Sequence, residues 1–211
     1  MLVTLLGVGF LRVSGGNGQL FVFGAACKTA GKISRIRSEP FYKKRFIIKK
    51  IDMKNLNAIG LDTKKSKKLA EDLNGLLANY AIFYQNTRGY HWNIKGEKFF
   101  ELHLKFEELY NDLLLKIDEV AERILTLGYA PNHRYSDYKT VSKIKESIEV
   151  SDGTKAVEDI LESFKTIISQ QRDLLVFSAD ANDEGTNALM SDYIRAQEKM
   201  VWMYSAFLNR K

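Results

Sequence analysis

The sequence predicts an all-α protein: a four-helix bundle with one long crossover connection. Apolar residues recur at spacings of three and four in four long segments, a pattern typical of amphipathic helices. Proline, which breaks helices, occurs only at Pro40 and Pro131 in 211 residues. With 45% hydrophobic residues, the chain has enough apolar side chains for a packed core.

The first 52 residues differ from the rest in composition and charge. Residues 1–30 are rich in glycine and short apolar runs without a helical period, and residues 32–50 are strongly basic. Residues 1–52 carry ten Lys/Arg and two Asp/Glu, whereas the remaining 159 residues carry 22 and 24. The leader therefore carries a net charge of +8 and the remaining residues carry −2, which together give the +6 of the whole chain. The body is slightly acidic, which argues against a surface devoted wholly to nucleic acid.

Three interpretations of the leader differ in what they require of its sequence. A secretory signal begins with positive charge, and residues 1–11 carry none. A lipoprotein signal has a leucine-like residue three positions before its cysteine, where this chain has a glycine before Cys27. We favour a third interpretation, in which translation starts at Met53. Residues 1–52 are then expected to be poorly ordered, and the folded domain to cover 53–211.

The number of cysteines and the length of the apolar segments indicate in which cellular compartment the protein works. Cys27 is the only cysteine, so an intramolecular disulfide and a thiolate zinc site are both excluded. We therefore expect a reducing compartment, the cytoplasm. No segment reaches the roughly 18–20 unbroken apolar residues of a membrane span, and no membrane association is expected.

The first two helices are predicted on either side of a short turn. Apolar residues recur with helical spacing over residues 56–90, and a start signal places the beginning of this helix near Thr63. Residues 93–96, Asn-Ile-Lys-Gly, form the turn. The second helix runs from about 97 to 127, where Gly128 is a C-terminal stop signal.

The second helix pair follows a longer polar segment. Residues 132–153 form a crossover with a short helix near 136–144. The third helix is predicted at about 154–181, the segment 183–186 interrupts the pattern, and the fourth helix spans about 187–208. This order describes a bundle with one crossover connection. A generic helical bundle without metal chemistry fits the helix pattern equally well.

A group of residues able to bind metal lies on the second helix. His103 and Glu107 are four residues apart, as are Asp118 and Glu122. Eleven residues separate Glu107 from Asp118, about three helical turns, so the four side chains share one stripe. Imidazole and carboxylates form a suitable ligand set for iron. Spacing alone leaves two alternatives open, a metal site and an ordinary charged helix face.

Helix geometry separates the two pairs within one chain. At about 1.5 Å of rise per residue they lie roughly 22 Å apart, too far for one metal ion. Antiparallel packing of this helix against the same helix of a second copy would bring His91, His103 and Glu107 opposite Asp118 and Glu122. The two-fold operation would create two equivalent sites per dimer.

The stretch HWNIKG-x-x-FF-x-LH-x-x-FEELY, continued by D-x-x-AERI-x-x-LG, resembles the signature of the Dps mini-ferritins. The resemblance covers residues 53–211 and includes the LANY segment before His91 and the final helix with Trp202. It implies a ferritin-like bundle that assembles into a hollow dodecameric shell, with a ferroxidase centre between two-fold-related subunits.

The resemblance also implies roles for individual residues. His91, His103 and Glu107 would bind iron from one chain, and Asp118 and Glu122 from the partner. The family often has aspartate at the position of Glu107. Trp92 would stand beside the centre, where it either quenches radicals or simply packs.

The activity implied is oxidation of Fe(II), typically by hydrogen peroxide, followed by mineralisation of Fe(III) in the shell and protection against oxidative stress. Asp180, Asp183 and Glu184 would line a cation-attracting pore, with a plain polar loop as the alternative. An ordinary ferritin di-iron site uses Glu-x-x-His pairs, which this chain lacks. The residues three positions before its histidines are Arg88, Phe100 and Ala130.

DNA condensation is a second hypothesis, and a helical interaction module without metal is a third. In this family DNA binding usually depends on a lysine-rich tail. Lys64–Lys68 carries four positive charges but belongs to a predicted helix, where a charge run is typical of a solvated face. Arg210 and Lys211 add a short basic end. A translated leader would add its own charge, and binding to phosphates would then weaken steeply with salt.

Overall fold

The computed structural model describes residues 55–210, in which helices and connecting loops are accompanied only by an isolated β-bridge between Leu56 and Asp62. In chain order the helices are α1 Thr63–Asn93, α2 Phe99–Thr126, α3 Tyr135–Val141, α4 Gly153–Asp180 and α5 Glu184–Phe207. The expectations for residues 1–52, including a start of translation at Met53, lie outside the described residues.

The predicted bundle with one long crossover is confirmed. Helix α1 packs against α2 and α4, α4 packs against α5, and the short α3 lies in the crossover against α1. Across residues 55–210, none of the helices combines the length and the apolar character that crossing a bilayer requires.

An aspartate caps the N-terminus of three of the helices. Asp62, Asp152 and Asp183 precede α1, α4 and α5, and each carboxylate accepts hydrogen bonds from backbone N–H groups of the first turn. Such caps satisfy donors that have no partner within the helix. The start of α1 at Thr63 and of α4 at Gly153 agree with the sequence pattern to within one residue.

The prediction for the start of α5 was wrong. The sequence pattern treated residues 183–186 as a break and began the fourth helix at about Asn187, but Glu184 is already helical. The side chain of Asp183 supplies the reason, because it caps the helix by accepting from the backbone N–H of Thr186 at 3.0 Å. Polar residues that looked like a loop are therefore the first turn of α5.

Aromatic and polar contacts in the core hold the helices together. Phe83 on α1 and Phe164 on α4 are fully buried and meet edge to face, with ring centroids 5.2 Å apart. Three residues before Phe83 on α1, the hydroxyl of Tyr80 accepts hydrogen bonds from the side chains of Gln171 at 2.6 Å and Gln197 at 2.5 Å. This buried polar contact connects α1 with α4 and α5, and burial raises the pKa of Tyr80 well above its usual value.

Candidate metal centre

His91 and His103 face each other across the junction of α1 and α2. Their rings are stacked, with centroids 3.8 Å apart and an interplanar angle of 18°. Nδ1 of His91 lies 2.8 Å from the carbonyl oxygen of His103, and Nδ1 of His103 lies 2.9 Å from the carbonyl oxygen of His91. The two residues therefore hold each other in place through both their rings and their backbones.

These contacts determine which ring nitrogen can bind a metal. A carbonyl oxygen only accepts hydrogen bonds, so each neutral imidazole carries its proton on Nδ1 and donates it. The Nε2 lone pair of each ring is left available. Hydrogen bonding of the second nitrogen in this way fixes the tautomer and orientation of metal-binding histidines.

The turn between the helices makes this geometry possible. Helix α1 extends to Asn93, so His91 lies in its last turn. Gly96 has φ +99°, a left-handed conformation that favours glycine, and the backbone N–H of Lys95 donates to the carbonyl oxygen of Ser151 at 3.0 Å. The turn is thus anchored to the end of the crossover, which fixes the approach of α2 to α1.

Glu107 and Tyr110 border the histidine pair on α2. The Tyr110 hydroxyl donates to Oε1 of Glu107 at 3.4 Å, and its ring meets the ring of His91 edge-on at 5.3 Å between centroids. Glu107, Tyr110 and His91 are all half-buried. Desolvation, followed by the charge of Glu107, raises the pKa of Tyr110 above its usual value.

Trp92 is next to the histidine pair but points outward. It is 57% exposed, and the guanidinium of Arg88 lies 4.6 Å from the centre of its ring. Arg88 also lies over the ring of Tyr84 at 5.4 Å. Trp92 therefore does not pack in the core of its own subunit.

Asp118 and Glu122 lie further along α2 and are both exposed. Because α2 is one uninterrupted helix, they remain roughly 22 Å from the His103/Glu107 pair by helical rise. Within residues 55–210, no group of three or more His, Cys, Asp or Glu side chains is placed to hold a metal in one subunit. The structure thus brings His91, His103 and Glu107 together and leaves the two acids apart from them.

One face of α2 combines these acids with exposed apolar side chains. At about 100° per residue, Leu104 and Leu115 lie within roughly 60° of Asp118 and Glu122 around the helix axis. Leu104 is 57% exposed and Leu115 is 65% exposed. Large apolar groups on a water-facing helix surface are typical of a protein interface.

The three predicted pore residues have different surroundings. Asp180 is exposed and pairs with Lys65 at 2.8 Å, and Glu184 is also exposed. Asp183 is only 2% exposed, and its carboxylate is bound by Thr186 and by the guanidinium of Arg123. In the subunit Asp183 thus stabilises the α4–α5 junction rather than facing solvent, because its oxygens are already used. The pore role of Asp180 and Glu184 stays a prediction.

Sequence reasoning missed Tyr110 and Arg123. Tyr110 is seven residues after His103, two helical turns, and that spacing on the ligand stripe was the available signal. The pairing of Arg123 with Asp183 has no such signal, since 60 residues separate them.

The comparisons with known proteins agree with the fold and the motif. The family model for the ferritin-like domain matches residues 70–211. The DNA protection during starvation protein of Porphyromonas gingivalis is 40% identical over 157 residues, which cover 74% of this chain and 99% of that protein. This chain belongs to the Dps family. The resemblance deduced from the signature stretch is thereby confirmed.

Further relatives of this Dps-family chain are similar over the same region. An uncharacterised protein of Haemophilus influenzae is 57% identical over 149 residues, 71% of this chain and 93% of the relative. The crystal structure of a Dps protein from Vibrio cholerae O1 has a TM-score of 0.72 and 57% identity, and covers 73% of this chain and 97% of that one. That protein is described as a member of a broad superfamily of ferritin-like diiron-carboxylate proteins.

Proposed function

We propose that this protein oxidises ferrous iron at sites shared between two-fold-related subunits and stores the ferric product inside a hollow dodecameric shell. The geometry of the histidine pair carries the proposal most directly. Both Nδ1 atoms are occupied by carbonyl oxygens, which leaves both Nε2 atoms for iron. An iron site built from one subunit alone would need further ligands close by, and no such group occurs among residues 55–210.

The missing ligands come from the partner in this proposal. His91, His103 and Glu107 of one subunit bind iron together with the residues equivalent to Asp118 and Glu122 in the other. Antiparallel pairing of α2 about a two-fold axis brings the beginning of one helix to the end of the other. The exposed Leu104 and Leu115 on the same face support this pairing, because their burial would stabilise the dimer.

Hydrogen peroxide is the proposed oxidant. Cleavage of its O–O bond needs two electrons, and two ferrous ions at one centre supply them together, which yields two ferric ions and two hydroxides. No hydroxyl radical is released when both electrons arrive at once. The role of the protein residues is to hold the two ions close together with open coordination positions.

Storage and protection follow from the shell. Ferric iron leaving the centres would mineralise in the cavity, and Asp180 and Glu184 at the α4–α5 junction would attract cations to a pore. Removal of both iron and peroxide would protect the cell against oxidative stress. The proposed location is the cytoplasm.

DNA condensation is the alternative function, and the described residues offer limited charge for it. Of the four lysines at the start of α1, Lys65 pairs with Asp180 and Lys68 pairs with Asp72, whereas Lys64 and Lys67 are exposed. Gel retardation at two salt concentrations, with and without residues 1–52, tests this function. An unshifted band at low salt would remove it, and a shift would place the protein at the nucleoid.

Complementation between two inactive variants tests the shared site. A His103→Ala chain and an Asp118→Ala chain are each expected to form inactive homodimers. When they are co-expressed, each mixed dimer has one site without either ligand and one intact site. Random pairing then restores about a quarter of the wild-type rate of peroxide-dependent iron oxidation.

A matched pair of variants provides the control. His103→Ala and Glu107→Ala affect the same half of the site, so no mixed dimer has an intact centre and no activity should return. Failure of the first pair to complement, with both variants folded and assembled, would contradict the shared site. A monomeric wild-type protein that binds iron tightly would contradict it as well.

A further inference from the structure

Tyr110 is placed to orient the carboxylate of Glu107, one of the candidate iron ligands. The two residues lie three apart on α2, and the tyrosine hydroxyl donates to Oε1 of Glu107 at 3.4 Å. Within residues 55–210, no other side chain or backbone group makes a hydrogen bond or an ion pair with this carboxylate. Its two oxygens therefore differ, because Oε1 has a donor and Oε2 has none.

The surroundings of Glu107 differ from those of other acidic residues on α2. Glu101, Glu108 and Asp112 each pair with a lysine of the same helix, at N–O distances from 2.5 to 3.5 Å. Glu107 instead meets the hydroxyl of Tyr110, which is uncharged at neutral pH. The charge of the carboxylate is therefore still available to a cation, while the hydrogen bond restricts the direction in which the carboxylate is presented.

Ring contacts on two sides hold Tyr110 in this position. Its ring meets the ring of His91 edge-on at 5.3 Å and the ring of Tyr84 edge-on at 6.2 Å between centroids. All three side chains are half-buried. Such edge-to-face contacts involve the ring and not the hydroxyl, so a phenylalanine at position 110 would keep them and lose only the hydrogen bond to Glu107.

The number of oxygens that Glu107 uses determines how many coordination positions remain on an iron ion. A carboxylate can bind a metal through one oxygen or through both, and oxidation requires an open position for the oxidant. We propose that Tyr110 is a positioning residue that restricts Glu107 to binding ferrous iron through one oxygen and thereby keeps a coordination position free for peroxide. This proposal rests on the proposed ferroxidase function and adds a residue that acts on iron only through Glu107.

Binding and rate should change in opposite directions when the hydroxyl is removed. In full-length, assembled Tyr110→Phe, Oε1 of Glu107 loses its donor and both oxygens can bind. Anaerobic titration with ferrous iron should then show tighter binding, because the ion gains a ligand atom. The rate of peroxide-dependent oxidation at saturating iron should fall roughly 10-fold, because the oxidant loses its position. A merely structural defect would weaken binding and slow oxidation together.

Infrared spectroscopy reports the binding mode itself. The separation between the two carboxylate stretching bands is larger when one oxygen binds a metal than when both bind. Difference spectra with and without ferrous iron, recorded on chains with isotopically labelled glutamate carboxylates, isolate the glutamates that bind. The bands that disappear in Glu107→Asp belong to Glu107. We expect a wide separation for these bands in the wild-type protein and a narrower one in Tyr110→Phe.

A second tyrosine–glutamate pair of the chain provides the matched control. The hydroxyl of Tyr193 on α5 donates to Oε2 of Glu119 on α2 at 2.5 Å. Glu119 is not among the candidate ligands, so Tyr193→Phe should leave ferrous binding, the oxidation rate and the infrared bands unchanged. An equal effect of the two tyrosine substitutions would contradict a specific action on Glu107.

A double-mutant cycle separates an action through Glu107 from an action through the ring. In Glu107→Asp the side chain is shorter by one methylene, so its carboxylate is withdrawn from the hydroxyl of Tyr110. Adding Tyr110→Phe to this variant should change neither the ferrous affinity nor the oxidation rate further. A second loss of the same size in the double variant would show that Tyr110 acts independently of Glu107 and would overturn the proposal.

The remaining outcomes are also decisive. Any result in Tyr110→Phe other than tighter binding with slower oxidation overturns the role of Tyr110 and leaves the ferroxidase function standing. Absence of ferrous binding and of peroxide-dependent oxidation in the wild-type protein overturns both. If Tyr110→Phe fails to assemble, the wild-type infrared spectrum decides. A wide separation of the Glu107 bands supports the proposal, and a narrow one overturns it.

Discussion

Arg123 on α2 and Asp183 before α5 form an ion pair in the interior of the bundle. Asp183 is 2% exposed, and its carboxylate also accepts from the backbone N–H and the hydroxyl of Thr186. Arg123 directly follows Glu122, one of the predicted iron ligands. The end of α2 that carries Glu122 is therefore attached to the start of α5 by a charged contact that is largely shielded from water.

Replacing Asp183 with alanine should strongly destabilise the protein. The change removes the α5 cap and leaves the Arg123 guanidinium, whose side chain is 16% exposed, without its carboxylate. Loss of one partner of a buried pair costs about 3–5 kcal/mol of unfolding free energy. Urea unfolding at a fixed protein concentration measures it. The control is Asp180→Ala, whose exposed pair with Lys65 should contribute less than about 1 kcal/mol. Equal effects of the two substitutions would contradict the capping role.

Removal of either site histidine should weaken ferrous binding. We expect His91→Ala and His103→Ala each to lower the affinity at least about 10-fold, because each loses one Nε2 ligand and the stacked partner that orients the other ring. Anaerobic titration calorimetry measures the affinity. His133→Ala, at an exposed position in the crossover, is the matched control and should bind as the wild type does. If His133→Ala had the largest effect, the proposed ligands would be wrong.

Glycine at position 153 should be required for the approach of α4 to the histidine turn. A Cβ atom there would clash with Cδ1 of Leu102 and would lie 3.3 Å from Cδ1 of Ile94. We expect Gly153→Ala to cost about 1–3 kcal/mol through overpacking. A Cβ at Gly89, within α1, would meet nothing within 4 Å. Gly89→Ala should therefore stabilise by about 0.5–1 kcal/mol, and thermal unfolding of the two variants compares these opposite signs.

Alkaline solution should unfold the bundle as buried tyrosines ionise. Burial raises the pKa of Tyr90 from 10.0 to about 12, against a weaker lowering by a hydrogen bond to Ser147. When folding raises the pKa of a group, its contribution to stability is complete at pH values below the pKa of the unfolded state. This contribution is lost as the pH rises through the pKa of the folded state. Stability should thus fall between about pH 10 and 12, which circular dichroism would follow. Tyr90→Phe should make the loss shallower over that interval, whereas a profile identical to the wild type would count against the burial effect.

Helix positions were largely predictable, because the apolar period is a local property. The start of α1 at Thr63 and the stop at Gly128 follow from capping and glycine signals. The start of α5 could not be predicted in this way, because residues 183–186 include an aspartate, a glycine and a threonine. These residues suit either a loop or a capped first turn of a helix. Burial of Asp183 against Arg123 decides between them.

The sequence by itself determined the helical class, the order of the four long helices and the common stripe of His103, Glu107, Asp118 and Glu122 on α2, since these depend on spacing along one helix. Its signature stretch also indicated the Dps family. The tertiary structure alone decided the mutual contacts of His91 and His103, the place of Tyr110 and the burial of Asp183. Those depend on how helices from distant parts of the chain pack against one another, and periodicity within a single helix carries no information about that packing.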